Sequence, residues 1–223
     1  MNQPRREASS DSATTMTIQS LHQIAPTDTH NIPKMLIPHY HAHIMAVDRV
    51  EQRLRRVTAA LDAAGVGYAV IGGNAVAAWV GRVDPSATRA TKDVDILVER
   101  ETASRLTEVM RGLGYLQEEI IGVRVFIDPD EPSVRSGIHV VWADEIVRPE
   151  YSIPAPSIHE AEIDPQGFRV VNVPALVRMK LTSFRPIDQA HVQDLMSVGL
   201  IDNAVRSSLP PALRERLRQV EST

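Results

Sequence analysis

Cysteine is absent from this sequence of 223 residues, and aromatic residues make up only 4% of it. The lack of cysteine excludes disulfide bonds, thiolate catalysis and zinc sites with cysteine ligands. No apolar run approaches the roughly 18 residues that a membrane-spanning helix needs, and the N-terminus lacks the apolar core of a signal peptide. We therefore expect a cytoplasmic protein with no membrane partner. The net charge of −4 gives no overall positive field for nucleic acid, although it leaves room for a local basic groove.

The composition that remains is that of an ordinary soluble protein with one principal core, since 43% of the residues are hydrophobic and 23% are charged. Residues 1–44 are rich in small polar residues and poor in large apolar ones, which predicts a disordered N-terminal tail. The main domain is expected to cover residues 45–205. Residues 206–223 are expected to form a C-terminal helix, because Leu213, Leu217 and Val220 recur at helical spacing.

Apolar periodicity predicts an α+β fold, in which a small mixed sheet is flanked by helices and followed by a helical C-terminal segment. The first helix is expected to begin near Asp48, with four apolar residues on its inner face: Val50, Leu54, Val57 and Leu61. Strands are predicted at 68–71, 94–98, 120–127, 138–142 and 168–173. Helices are predicted around 75–80, 106–113, 175–182 and 188–198.

Two features of the predicted sheet indicate a site for phosphate and a metal ion. Gly72 and Gly73 follow the first strand directly, and a glycine pair lets a phosphate approach the backbone closely. Asp93 and Asp95 are two residues apart at the next strand, so both carboxylates project from one face and can hold a divalent cation. Together these features indicate metal-assisted phosphoryl or nucleotidyl transfer. Asn74 is predicted to cap the helix that follows the glycine pair.

The order of these elements resembles that of the DNA polymerase beta-like nucleotidyltransferase superfamily. The glycine pair at 72–73 and the two aspartates carry the resemblance. The segment from Arg89 to Asp95 (Arg-Ala-Thr-Lys-Asp-Val-Asp) is similar to that of bacterial stand-alone nucleotidyltransferase-like proteins, which include abortive-infection toxins. A second similarity lies in the helical segment with Lys180 and Asp188, and the whole resemblance spans residues 46–205.

The resemblance implies roles for the residues that match it. Asp93 and Asp95 would bind Mg²⁺ or Mn²⁺, and backbone N–H groups at Gly73–Asn74, after Gly72, would bind the triphosphate of an NTP. Lys180 would neutralise phosphate charge, with a snorkelling surface lysine as the equal alternative. Arg89 would contact phosphate or pair with a sheet carboxylate.

One position departs from the pattern of the superfamily. Catalytic members have a third carboxylate on a neighbouring strand, whereas the inward polar residue of the corresponding strand here is His139. His139 could serve as a general base, could bind a softer ion such as Mn²⁺, or could be a histidine satisfied by a structural neighbour. Asp128, Asp144 and Glu145 are alternative sources of a carboxylate.

The function expected from the sequence is metal-dependent transfer of a nucleoside monophosphate from an NTP to an acceptor hydroxyl. The acceptor could be RNA, a protein or a small molecule such as an antibiotic, and a toxin with an antitoxin partner is one version of this hypothesis. The alternative is a catalytically degenerate nucleotide-binding or interaction protein on the same fold, because His139 replaces the third carboxylate.

Overall fold

The computed structural model describes residues 38–223, with side chains from Ile44 onward. Residues 1–37 of the predicted N-terminal tail lie outside the described part. Within that part, seven strands form one mixed sheet in the order β3-β4-β5-β2-β1-β7-β6, which confirms the α+β prediction. The strands are β1 Tyr68–Ile71, β2 Val94–Val98, β3 Leu116–Ile120, β4 Val123–Ile127, β5 Ile138–Trp142, β6 Ala161–Ile163 and β7 Arg169–Val171.

Seven helices are present in residues 38–223. They are α1 Pro38–Ala63, α2 Gly72–Val83, α3 Ala103–Gly112, α4 Val173–Ser183, α5 Pro186–Ser197, α6 Asn203–Ser208 and α7 Pro211–Glu221. Helix α2 packs on β1 and β2, and α4 and α5 pack against α2, each other and α7. None of the described helices is both long and apolar enough to cross a membrane.

The centre of the sheet fixes the neighbours of the acidic strand. Strand β1 pairs antiparallel with β2, and Ile71 lies opposite Asp95. On the other side β5 runs parallel to β2, and His139 lies opposite Asp95. All four residues of β1 are buried, which explains why a short apolar run predicted this strand correctly at both ends.

Several element boundaries differ from the prediction. Helix α1 begins at Pro38, ten residues before the start expected from its apolar spacing. The single strand predicted at 120–127 is wrong: β3 and β4 form a hairpin there, with Ile121 and Gly122 at positive φ in the turn. Such a turn normally carries Asn-Gly or Asp-Gly, and a β-branched residue rarely adopts a positive φ, so the pair Ile121-Gly122 does not match the usual pattern of a two-residue hairpin turn. The last strand is also shorter than predicted, because α4 begins at Val173.

His191 of α5 is a buried histidine with an unusual environment. Its side chain faces Gly73 at the start of α2, and its Nδ1 has no hydrogen-bond partner among the described residues. Burial and the positive charge of Lys180 lower the pKa of His191 to about 4, and nearby Arg89 acts in the same direction. The negative charges of Asp188 and Asp194 only partly oppose this shift. The imidazole is therefore neutral in the folded protein at neutral pH.

The free energy of unfolding should depend on pH through His191. Between pH 6.5 and about 4 the unfolded chain binds a proton at this residue that the folded chain does not, so stability is full above pH 6.5 and falls as the pH is lowered. Lowering the pH from 7.5 to 5 should cost about 2 kcal/mol at this site. Urea unfolding of the wild type and of His191→Gln at both pH values checks this. An equal loss in the two proteins would contradict it.

Candidate active site

Three side chains predicted from the sequence meet at the edge where β2 begins. His139 Nδ1 lies 3.3 Å from Asp95 Oδ1 and 3.7 Å from Asp93 Oδ2. The three residues each offer a ligand atom, and these atoms all lie within 4.8 Å of one another. We call this group the Asp–Asp–His cluster. Strand pairing produces it, because parallel β5 places His139 directly beside Asp95.

The hydrogen bonding of His139 defines which ring nitrogen faces the carboxylates. Its Nε2 lies 2.8 Å from the backbone carbonyl oxygen of Val134, and only a protonated nitrogen can donate to a carbonyl. The Nδ1 lone pair of the neutral ring therefore faces the oxygens of Asp93 and Asp95. The hydrogen bond with Asp95 raises the pKa of His139, against the effect of burial, and the carbonyl of Val134 and both aspartate charges add to the increase. A proton or a cation at Nδ1 would therefore relieve the repulsion between its lone pair and the carboxylate oxygens.

A divalent cation fits this donor set. Two carboxylates and an imidazole whose second nitrogen donates to a backbone carbonyl make up a common arrangement of metal ligands. The imidazole suits Mn²⁺ better than Mg²⁺, which prefers oxygen ligands alone. In the described part of the chain no other group of three such side chains comes together, and Asp128, Asp144 and Glu145 do not join this one. Glu145 instead forms an ion pair with Arg100.

Two polar side chains position Asp93. The Thr91 hydroxyl donates to Asp93 Oδ1 at 2.8 Å, and the Asn74 amide donates to the backbone carbonyl of Asp93 at 2.7 Å. The prediction that Asn74 caps α2 is wrong, since the helix begins at Gly72 and Ile71 occupies the N-cap without a side-chain bond. Asn74 instead joins the first turn of α2 to the start of β2. The role of Thr91 was missed, although a hydroxyl two residues before a carboxylate is a usable signal.

The glycine pair allows α2 to approach the acidic strand. Gly72 has a φ of +68°, and a Cβ there would lie 1.9 Å from Asp95 Oδ2. A Cβ on Gly73 would lie 2.9 Å from Thr91 Oγ1. The first N–H groups of a helix have no partner within the helix, so the N-terminus of α2 brings anion-binding amides next to the cluster.

Lys180 and Asp188 form a buried ion pair between α4 and α5. Their side chains are 7% and 0% exposed, and Nζ lies 3.2 Å from Oδ1. Burial alone would raise the pKa of Asp188, but hydrogen bonds from Arg185 and Ser183 and the charge of Lys180 lower it to about 2. The snorkelling alternative for Lys180 is wrong, because its ammonium group is buried. These contacts give Asp188 a structural role between α4 and α5.

Arg89 forms an ion pair with a carboxylate of the protein itself. Its Nε lies 2.6 Å from Asp194 Oδ2, and this hydrogen bond raises the pKa of the guanidinium. Asp194 belongs to α5, so the partner is a helix carboxylate and not the sheet carboxylate that we considered. The contact ties the segment before the cluster to α5, which favours positioning over phosphate binding for Arg89.

A cavity of about 320 Å³ opens beside the cluster, between the sheet and the helices. Gly72, Asp95, His139 and Lys180 line it, together with apolar side chains of β4, β5, the segment after β5 and α4: Val123, Val125, Val141, Val147, Ile153, Leu176 and Met179. We call this cavity the cleft. It is the place where a substrate with an apolar surface can reach Asp95 and His139.

Comparisons with known proteins agree with this geometry. The family model of the aminoglycoside-2''-adenylyltransferases matches residues 53–161. A crystal structure of ANT(2")-Ia in complex with adenylyl-2"-tobramycin superposes with a TM-score of 0.51 at 19% identity, over 77% of this chain and 98% of that one. The chain therefore has a nucleotidyltransferase fold. No curated protein matches the chain.

A second structure supports the nucleotidyltransferase fold. An antigenic nucleotidyltransferase-like protein from Paracoccidioides brasiliensis superposes with a TM-score of 0.54 at 16% identity, over 79% of this chain and 89% of that one. The predicted polymerase beta-like fold is therefore confirmed. The matched family model describes adenylyltransferases, which supports the prediction of a nucleotidyltransferase enzyme. The family and the two neighbours do not distinguish the abortive-infection toxins within the superfamily.

Substitution of Gly72 should remove metal binding from this nucleotidyltransferase fold. In Gly72→Ala the added Cβ must displace the Asp95 side chain. Gly65→Ala is the matched control, because Gly65 has a φ of +66° and open space where its Cβ would be. Both variants should lose about 1–2 kcal/mol of stability from the positive φ. Only Gly72→Ala should also lose Mn²⁺ binding in calorimetric titrations, and equal Mn²⁺ affinity in the two variants would contradict the close packing of Gly72 on Asp95.

Proposed function

We propose that the protein transfers a nucleoside monophosphate from an NTP to an acceptor hydroxyl in a metal-dependent reaction, with release of pyrophosphate and of the hydroxyl proton. The observation that supports this most is the Asp–Asp–His cluster directly beside the N-terminus of α2. Asp93 and Asp95 would hold the metal ion, and His139 Nδ1 would complete the donor set. A divalent ion in such a site neutralises phosphate charge and acidifies the attacking hydroxyl.

The other residues of the cleft have positioning roles in this proposal. The N–H groups at Gly73 and Asn74 would bind phosphate oxygens, because they are unpaired helix donors near the cluster. Lys180 would act through its charge rather than by direct contact, since Asp188 already holds its ammonium group. Because the start of α2 lies directly beside the cluster, a triphosphate bound at these N–H groups would be oriented against the metal ion.

The acceptor is the part of the proposal that the charges of the cleft constrain. Of the carboxylates that line it, Asp95 belongs to the cluster and Asp188 is bound by Lys180, Ser183 and Arg185. A polycationic aminoglycoside would therefore meet no unengaged carboxylate among the lining side chains. This favours a neutral or anionic acceptor such as RNA or a protein hydroxyl. A toxin role with an antitoxin partner belongs to the same proposal, since the segment Arg89–Asp95 resembles that of such toxins.

The second candidate function is a catalytically degenerate protein that binds nucleotide without transferring it. It is favoured by one observation, the imidazole of His139 where the superfamily has a third carboxylate. The same Nδ1 that suits Mn²⁺ makes the site a poorer one for Mg²⁺.

Transfer of label from α-labelled NTPs should separate these two functions. With Mn²⁺ the wild type should label RNA, protein or a small molecule, whereas Asp93→Asn/Asp95→Asn should lose more than about a hundredfold, because even substitutions outside the ligand shell cost 10–100-fold. Glu101→Gln/Glu108→Gln is the control, since it removes two exposed carboxylates near α3. Nucleotide binding without any labelled product would instead support the degenerate protein. In cells, growth arrest that requires both aspartates would support the toxin role.

Replacement of His139 should change the preferred ion. His139→Asp supplies the missing carboxylate, so transfer with Mg²⁺ should rise several-fold relative to transfer with Mn²⁺. His139→Asn serves as the control, because Asn has nearly the same shape as Asp but carries no charge. If both variants lose activity equally with either ion, His139 acts as a general base instead. No change in either variant would exclude both roles.

A further inference from the structure

A second cavity of about 320 Å³ lies outside the cleft. It is lined by residues 46–53 in the middle of α1, by the segment 90–92 that precedes Asp93, and by residues 131–136. Four basic side chains line it: Arg49, Arg53, Lys92 and Arg135. Glu131 is the one carboxylate among its lining residues. The cavity therefore carries an excess of three positive charges, although the whole protein is acidic.

Arg53 shows that this excess is built into the fold. Its side chain is only 6% exposed, and Nη2 lies 2.6 Å from Glu131 Oε2. Nη1 is buried without a hydrogen-bond partner among the described residues. A guanidinium stays charged and keeps all its donors, so a buried N–H without an acceptor is unfavourable unless a ligand supplies one. The fork of two N–H groups suits a phosphate group in particular.

The three other basic side chains are exposed, and none forms an ion pair within residues 44–223. Arg49 lies on α1, Lys92 follows Thr91, and Arg135 lies in the 3-10 turn Val134–Ser136. They approach the cavity from three separate segments of the chain. A flexible ammonium and two guanidinium groups around one small space are typical of a site for a doubly or multiply charged anion.

The cavity adjoins the Asp–Asp–His cluster through two of its walls. Thr91 lines the cavity and donates its hydroxyl hydrogen to Asp93 Oδ1. Ser133 and Ser136 line it on the other side, and the carbonyl of Val134 between them holds His139. A ligand bound by the basic side chains would thus lie next to the residues that position two members of the cluster.

We propose that this basic cavity binds a phosphate group of a substrate. The identification of the ligand as a substrate rests on the proposed function, whereas the anion site itself rests on Arg53 and the three exposed cations. The phosphate belongs either to the polyphosphate tail of the NTP or to the backbone of an RNA acceptor. Both sources present the same chemistry to the cavity, and binding measurements separate them.

The test compares two variants that each remove two positive charges. Lys92→Ala/Arg135→Ala removes charges from the cavity, and Arg105→Ala/Arg111→Ala removes two exposed charges on α3. Binding of inorganic pyrophosphate, of the α,β-methylene analogue of ATP and of a short single-stranded oligoribonucleotide is measured by titration calorimetry on the full chain. The first variant should bind at least one of the three about tenfold more weakly than the control. If the oligoribonucleotide is the ligand, the slope of log K against log salt should also decrease by about 1.4.

The pattern of losses identifies the phosphate. Weaker binding of pyrophosphate and the ATP analogue supports the NTP tail, and weaker binding of the oligoribonucleotide alone supports an acceptor phosphate. Arg49→Ala, on the α1 wall of the cavity, should weaken the binding of the same ligand. Equal affinities in the two double variants would overturn the site. Because no transfer is required, a protein that proves catalytically degenerate can still pass this test.

Discussion

The register of β2 between β1 and β5 is the constraint on which the rest of the site depends. Antiparallel pairing brings the end of β1, and therefore Gly72, beside Asp95. Parallel pairing brings His139 to the other side of Asp95. A shift of one residue would turn Asp95 and His139 to opposite faces, because side chains alternate along a strand. The buried apolar residues of β2, which include Val94 and Ile96, hold this register in place.

A second constraint joins the helices to this sheet. Asp188 has no exposed surface and accepts hydrogen bonds from Lys180, Ser183 and Arg185. Removing one partner would leave a buried charge uncompensated, which typically costs about 3–5 kcal/mol. This network fixes the turn between α4 and α5, while Arg89 ties the segment before β2 to α5 through Asp194. The residues of the Asp188 network also line the cleft beside the cluster.

The sequence predicted the parts of this arrangement that depend on local patterns. Strands β1, β2 and β5 had the predicted bounds because each is a short apolar run, and the spacing of Asp93 and Asp95 placed both carboxylates at one edge. Other parts depend on the fold as a whole. The carbonyl of Val134 reaches His139 only because of a 3-10 turn, and the hairpin turn at Ile121 and Gly122 has a β-branched residue where Asn or Asp is usual.

The basic cavity shows most clearly why the remainder could not be predicted. Its basic side chains come from three segments that are distant in sequence, and the −4 net charge gave no sign of them. Residue types indicate a site most directly when neighbours in the sequence are also neighbours in space, as Asp93 and Asp95 are. The cluster of positive charge between α1 and two loops is visible only in the folded structure.

The measurement that tests the central claim most directly is ¹⁵N NMR of the histidine side chains during a Mn²⁺ titration, with the signal of His139 assigned from a His139→Gln variant. If Asp93, Asp95 and His139 bind one ion, substoichiometric Mn²⁺ should broaden the His139 ring signals before those of the other histidines, and Asp95→Asn should prevent the broadening. Unchanged His139 signals at Mn²⁺ concentrations that saturate the protein would show that the three residues do not form a metal site.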